Sequence, residues 1–317
     1  MAITTTSVLA APVQQTFNAK LLSVPTPNMI MNIPSEKYRM PRNGGTTMRF
    51  RRYNPLNTAL VPLGNSGVQS PAQSLTSMDI DATISWYGTY IALNEQVVLQ
   101  NQEQVLNEAA LRLGVSLRQT EDELTRNMLL GTTSVYDCTG GSNGDVPSDL
   151  TSSDVANVTK KLLGNNAYMF LSGITGDLKF GTAPVRNAYF GLAHTDLTTD
   201  LSDISTFIHQ SQYPSQQNVL DSEWGAVGNV RFLVSSIGAI VPTSSRVFGA
   251  DVYCTFVVGR EAYGVIAQDG ATAQFIYRPA QYSDPLAQNV TIGYKFAQAT
   301  RILNDEWLVN MRSTLPR

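Results

Sequence analysis

A chain of 317 residues holds one large domain or two to three small ones, and it can bury a sizeable core without disulfides. Charged residues make up 15% and hydrophobic ones 43%, against about 25% charged in an average soluble domain. That predicts either extensive protein interfaces or a surface rich in Ser, Thr, Asn and Gln, which the chain also has. The net charge of −3 excludes an overall pull on polyanions, and Cys138 and Cys254, far apart, make no metal or redox motif and point to a reducing compartment.

Residues 1–45 show no periodicity, and Pro12, Pro25, Pro27, Pro34 and Pro41 punctuate them. This composition predicts an extended arm. No basic leader precedes an apolar run at the start, and no stretch approaches the roughly 18 apolar residues of a membrane span. Residues 46–61 read as a strand followed by irregular chain. Residues 62–77 carry the breakers Pro62, Gly64, Asn65, Gly67 and Pro71. Residues 78–92 alternate, with Ile80, Ala82, Ile84 and Trp86 on one parity. Two strands joined by a long loop make a ribbon that is marginal alone in water, so it is expected to lean on something, a neighbouring subunit being one candidate.

The longest helical pattern covers residues 97–131. Val98, Val105, Ala109, Leu113, Leu117, Leu124 and Met128 recur on one face. Gly114 weakens its middle by about 1 kcal/mol relative to alanine. Thr120 and Glu123 have the spacing of a capping box. One kinked helix or two consecutive ones are therefore expected, lying on a sheet or a partner.

A glycine-rich loop follows, then a helix at 153–163 capped by Ser152 or Ser153, and a short hairpin at 167–182. Residues 187–193 read as a buried strand and 195–207 as a short acidic helix. Strands are expected at 224–240, 252–267 and 274–277, and a long terminal strand pair within 290–311. No internal repeat is visible.

Candidate chemistry is sparse. Arg39, Arg42, Arg49, Arg51 and Arg52 interleave with Tyr38, Phe50 and Tyr53, a mixture that suits single-stranded nucleic acid, yet no nucleic-acid-binding motif accompanies it. Salt bridges across a subunit interface explain it as well. His194, Asp196, Asp200 and Asp203 resemble a metal cluster, but acids in a first helical turn are ordinary dipole and cap residues. No serine sits in a nucleophile elbow, and the loop around Gly140 and Gly144 lacks the ending of a phosphate loop. No catalytic residue, metal or cofactor is expected.

Several stretches in order carry a resemblance: RNGGTTMRFRRYNPL from Arg42, ATISWYGTYIALNEQVVL from Ala82, YFGLAHTDLTTDL from Tyr189, EWGAVGNVRFLVSS from Glu223, VVGREAYGV from Val257 and IGYKFAQATRILNDEWLVNMRS from Ile292. With them the chain resembles the major capsid proteins of tailed bacteriophages, in the family of coat proteins from phages with giant virion RNA polymerases. The match runs from about Pro41 to Arg312. It is weakest before Pro41 and between Asp137 and Thr182.

The resemblance implies an α+β fold of the Hong Kong 97 type. Its parts would be an N-terminal arm at 1–45, an extended hairpin loop at 46–92, a peripheral domain with a long spine helix at 93–186, an axial domain at 187–285, and return strands of the peripheral domain at 286–317. It implies a major capsid protein, not an enzyme, that self-assembles as hexamers and pentamers into an icosahedral shell around double-stranded DNA. The expected partners are further copies, non-specifically contacted packaged DNA, a portal and a decoration or scaffolding protein, with no membrane. The expected place is the virion capsid, assembled in the bacterial host cytoplasm. A bacterial nanocompartment shell of the same fold, or another virion structural protein, is the alternative. The hairpin contains no lysine, so covalent cross-linking from it is not expected. Arg49, Arg51 and Arg52 are expected to pair with Asp79, Asp81 or Glu95 of a neighbouring subunit. Trp86, Trp224 and Arg231 are further interface candidates.

Overall fold

The computed structural model describes residues 26–58, 73–94, 96–97, 105–139, 141, 147–170, 187–213, 219–241, 251–271, 273–279 and 288–315. Most of the predicted arm, most of the predicted loop between the ribbon strands, Glu95, residues 98–104 at the start of the predicted long helix, most of the glycine-rich loop and most of the predicted 167–182 hairpin lie outside them.

The strands in chain order are β1 (Glu36–Met40), β2 (Thr47–Tyr53), β3 (Ser77–Thr83), β4 (Ser85–Asn94), β5 (Val135–Asp137), β6 (Tyr189–His194), β7 (Phe207–His209), β8 (Glu223–Val227), β9 (Val230–Ser235), β10 (Ala239–Val241), β11 (Val252–Val258), β12 (Tyr263–Gln268), β13 (Gln274–Arg278), β14 (Asn289–Ile302) and β15 (Leu308–Ser313). The helices are α1 (Val105–Leu129), α2 (Ser152–Gly164) and α3 (Thr198–Asp203).

β14 organises the first sheet. β12 and then β13 pair along one of its edges, β4 pairs along the other, and β1 runs parallel to β12. Alternation gives β14 two faces. Ile292, Tyr294 and Phe296, with Tyr87 and Ile91 of β4, receive Leu113, Leu117 and Leu124 of α1. The apolar spacing along the sequence thus identifies the buried stripe of α1, with Ala109 also buried.

α1 runs as one helix through Gly114 and Thr120, so the chain does not break there into two consecutive helices. The Thr120 hydroxyl donates to the Ser116 carbonyl at 2.7 Å instead of capping a new helix, and Glu123 accepts from Gln119 at 2.8 Å. Both Ser116 and Thr120 hydroxyls also lie 3.2 Å from the Tyr294 hydroxyl. The sheet holds the middle of the helix, and that contact outweighs the weak local signals.

β2 and β3 form a separate two-stranded ribbon. Its base leans on its own chain: Met48, Phe50 and Ala82 pack with Met40, Ile266, Ala297 and Ala299. The alternating run at 78–92 is therefore two strands. It breaks at Ile84, whose amide donates to the Thr46 carbonyl at 2.8 Å, and β4 then joins β14.

The second sheet has eight strands in the order β5-β15-β11-β6-β9-β8-β7, with β10 also on β11. Every residue of β6 and β9 is buried, as expected where both faces of a sheet are covered. On one face α2, α3 and the turn before α3 bring Val155, Val158, Leu162, Leu201 and Leu197 against Tyr189, Phe232, Val257, Val309 and Met311. Thr151 precedes α2 and donates its hydroxyl to Asp154 at 2.5 Å, so the cap lies one residue earlier than expected. On the other face Phe190, Leu192, Phe256, Val258 and Leu308 meet Leu129, Ile30 and Met31.

Two further expectations change. β14 and β15 are not a strand pair: β15 crosses into the eight-stranded sheet between β5 and β11, while β12 and β13 belong with β14. The 187–285 and 286–317 segments therefore interleave. Nor is the whole stretch to residue 45 a free arm. Ile30 and Met31 are fully buried, and Asp122 on α1 accepts the Ile30 amide at 3.1 Å and the Asn32 amide at 3.0 Å. Ser235 of β9 donates to the Asn28 carbonyl and Tyr263 of β12 to the Met31 carbonyl. Residues 28–32 thus tie α1 to both sheets.

Candidate assembly surfaces

The exposed side of the ribbon carries the predicted basic cluster. Register places Arg49 opposite Asp81 and Arg51 opposite Asp79. Arg49 donates to both Asp81 oxygens at 2.7 and 2.8 Å, and Arg51 to both Asp79 oxygens at 2.8 and 2.9 Å. These are the acids named from sequence, but they belong to the same chain, directly across the strand pair. Opposite charges facing each other on one ribbon face are the sheet's own stabilising unit. The arginine hydrogen bonds hold both carboxyls below the usual carboxylate range and raise both guanidinium groups. Arg52 points to the other face, with its guanidinium 3.9 Å from the Met78 sulfur. Glu95 lies outside the described residues.

Arg231 is not a surface residue. It is 1% exposed, and Glu223 is 2% exposed. The two meet through two hydrogen bonds, at 2.8 and 2.5 Å. Tyr213 and the Leu220 amide also donate to Glu223, at 3.0 and 3.3 Å, and the guanidinium stacks 5.5 Å from the Phe190 ring centre. The tight turn between β8 and β9 sets this up: Gly228 has φ +56°, which suits the first central position of a two-residue hairpin turn. Gly225 is a close approach, because a Cβ there would sit 2.5 Å from the Ile208 carbonyl.

Trp224 is partly buried against β7 and α3. Its ring meets His209 at 5.0 Å, and its indole donates to the Ser202 hydroxyl at 3.1 Å. Trp86 does stand on an open surface at 59% exposure, with the Lys295 ammonium 5.9 Å from its ring centre. Its neighbours on that sheet face are Tyr90, 72% exposed, and a shallow cavity of about 400 Å³ that Gly88, Gly293, Ile276 and Arg278 help to line. The β12 end of the same face lies under the ribbon; the β4 end is open. Register was the missing signal, since β4 meets β14 some two hundred residues later.

The acidic turn resolves into structural roles. His194 accepts the Asp196 amide at 3.1 Å through Nδ1, and its Nε2 lies 3.0 Å from the Ser236 carbonyl. Asp196 accepts the Tyr253 hydroxyl at 2.9 Å. Burial, with Asp149 and Asp203 nearby, pushes Asp200 up to about 6. Among the described residues no group of three or more His, Cys, Asp or Glu could hold a metal ion. Cys138 and Cys254 are free and buried, and burial raises both thiols, Cys254 to about 11. β15 runs between β5 and β11, with Cys254 opposite Arg312 and the Cys138 amide bonded to the Arg312 carbonyl. No described helix is long and apolar enough to cross a membrane.

A long helix on the β14 sheet, a thin ribbon springing from that sheet, and a second sheet whose central strands are buried define the class: an α+β fold of the Hong Kong 97 type. Solved structures that share this fold include phage capsids. The capsid of Ralstonia phage GP4 is 11% identical, with 96% of this chain and 96% of that chain covered at a TM-score of 0.68. The capsid of cyanophage P-SCSP1u is 13% identical, covering 96% and 93% at 0.65. The head structure of Helicobacter pylori bacteriophage KHP40 is 10% identical, covering 99% and 98% at 0.65. No protein-family model and no curated protein matches the sequence.

Proposed function

We propose that this protein is the major capsid protein of a tailed phage, and that its function is assembly of copies of itself into a closed shell around double-stranded DNA. The observation that carries the reading is the end-to-end likeness of fold to phage capsid structures, at 96% or more of this chain. The surface fits a repeated contact role. The ribbon projects from the body with a charged exposed face, and Trp86 and Tyr90 are large aromatic groups in the open, of the kind that anchor interfaces. The β14 sheet with α1 serves as the peripheral domain, the eight-stranded sheet as the axial domain, and the ribbon as the extended hairpin. Kinship with the coat proteins of phages with giant virion RNA polymerases rests on the ordered stretches quoted from the sequence. Many modest interfaces made cooperative by closed symmetry hold the shell. A decoration protein, a scaffolding protein and a portal are the further partners this role calls for.

Sedimentation velocity of the purified chain tests the reading. A fast, discrete boundary from closed particles supports it. A chain that stays monomeric across salt, pH and concentration, alone and when co-expressed with its phage's other head proteins, overturns it.

A further inference from the structure

β4 pairs with β14 along one side only, over all ten of its residues. Among the described residues no strand pairs along its other side, and no backbone hydrogen bond joins that side to another segment. An open edge is a template for a further strand, and proteins commonly blunt it by shortness, charge or proline. The other described edges are blunted in this way. β5, β7 and β10 have three residues each. β1 carries Glu36, Lys37 and Arg39, β13 ends on Arg278, and the ribbon strands are charged along their length. β4 is the exception. From Ser85 to Asn94 it holds no charged residue and no proline, and it carries the exposed Trp86 and Tyr90.

We infer that this edge pairs antiparallel with the β4 edge of a second copy across a two-fold axis, an inference that rests on the shell reading above. Two copies of one strand related by a two-fold run antiparallel, and each offers the other the same row of donors and acceptors. Self-complementarity therefore needs no second patch on the molecule. No charge on either strand opposes the approach.

The side chains choose the register. Tyr87 and Ile91 meet α1, so Trp86, Gly88 and Tyr90 share the opposite, open face. Centring the two-fold on Gly88 sets Trp86 of each copy across from Tyr90 of the other. Aromatic pairs directly across two strands are favourable, and the glycine between them leaves room for the rings. Lys295 already lies over the Trp86 ring, 5.9 Å from its centre, and would flank the aromatic pair. A two-fold contact closes no ring of its own; it ties one ring of subunits to the next, which a closed shell also requires.

The test uses the full-length protein and reads particle yield by sedimentation velocity. Trp86→Glu with Tyr90→Glu sets like charges across the axis. This variant should melt at the wild-type temperature, because both side chains stand in the open, and should lower particle yield about tenfold or more. Trp86→Glu with Tyr90→Lys sets opposite charges across the same axis and should keep at least half of the wild-type yield. Unchanged assembly of the first variant overturns the inference. Equal loss in both variants also overturns it, since the edge would then meet something other than itself. Hydrogen exchange of the wild type depends on no variant's folding: the β4 amides should exchange about tenfold more slowly in particles than in free subunits, and equal rates overturn the inference. Failure of the wild type to form particles would count against the shell reading itself, and it would be seen before any variant is made.

Discussion

Arg231 and Arg51 each reach a carboxylate through two parallel hydrogen bonds, one pair sealed in the eight-stranded sheet and the other on an open ribbon. Burial separates their consequences. Arg231→Ala would strand the Glu223 carboxylate away from water, so urea unfolding should show a loss of about 3–5 kcal/mol. Arg51→Ala should move the same midpoint very little, because both partners keep their water. Asp200 makes a pH-dependent case. Its carboxyl is raised from 3.8 to about 6, so between those values the folded chain binds more protons than the unfolded one, and this residue's contribution falls as pH rises. Asp200→Asn should therefore be about 1–2 kcal/mol more stable than wild type at pH 7.5 and nearly equal to it at pH 4, as read from paired denaturation curves. Sequence showed the carboxylates at 196, 200 and 203 on one face, but not that Asp200 would be covered. Arg231 was legible as a special residue, and its partner Glu223 lies only eight positions away. Its burial was not legible, because that depends on sheet neighbours far along the chain.

At the scale of elements, the apolar period along α1 named Ala109, Leu113 and Leu117, and all three are buried, Leu113 and Leu117 against β14. The expected break failed because local signals of about 1 kcal/mol compete with a whole helix face packed on aromatic residues. A Cβ added at Gly114 would meet only the Phe275 ring edge, at 4.0 Å. Gly114→Ala should thus stabilise the protein by about 0.5–1 kcal/mol, visible as a higher melting temperature; a loss would mean that the helix needs its glycine. The strand assignments at 187–193, 252–267 and 274–277 survive because alternation and apolar runs are local properties. Which strand lies beside which is not local. Nothing in residues 290–311 reveals that their first half pairs with β4 and their last with β11, or that residues 28–32, read as arm, are clamped by Asp122.

For the whole molecule, composition already pointed outward. A chain with 15% charged residues spends little of its surface on charge, and its large open surfaces include the bare half of the β14 sheet around Trp86 and Tyr90 and the exposed face of the ribbon. The ordered stretches that resemble phage coat proteins and the fold shared with phage capsids agree in class. A subunit with a thin projecting ribbon and a sheet face left half covered gains most from neighbours, which is the physical content of the shell reading. The most direct measurement is electron cryomicroscopy of the purified, assembled protein. The account predicts closed icosahedral particles built from five- and six-subunit rings of this chain. Open filaments, flat sheets or a discrete small oligomer as the only ordered product would contradict it.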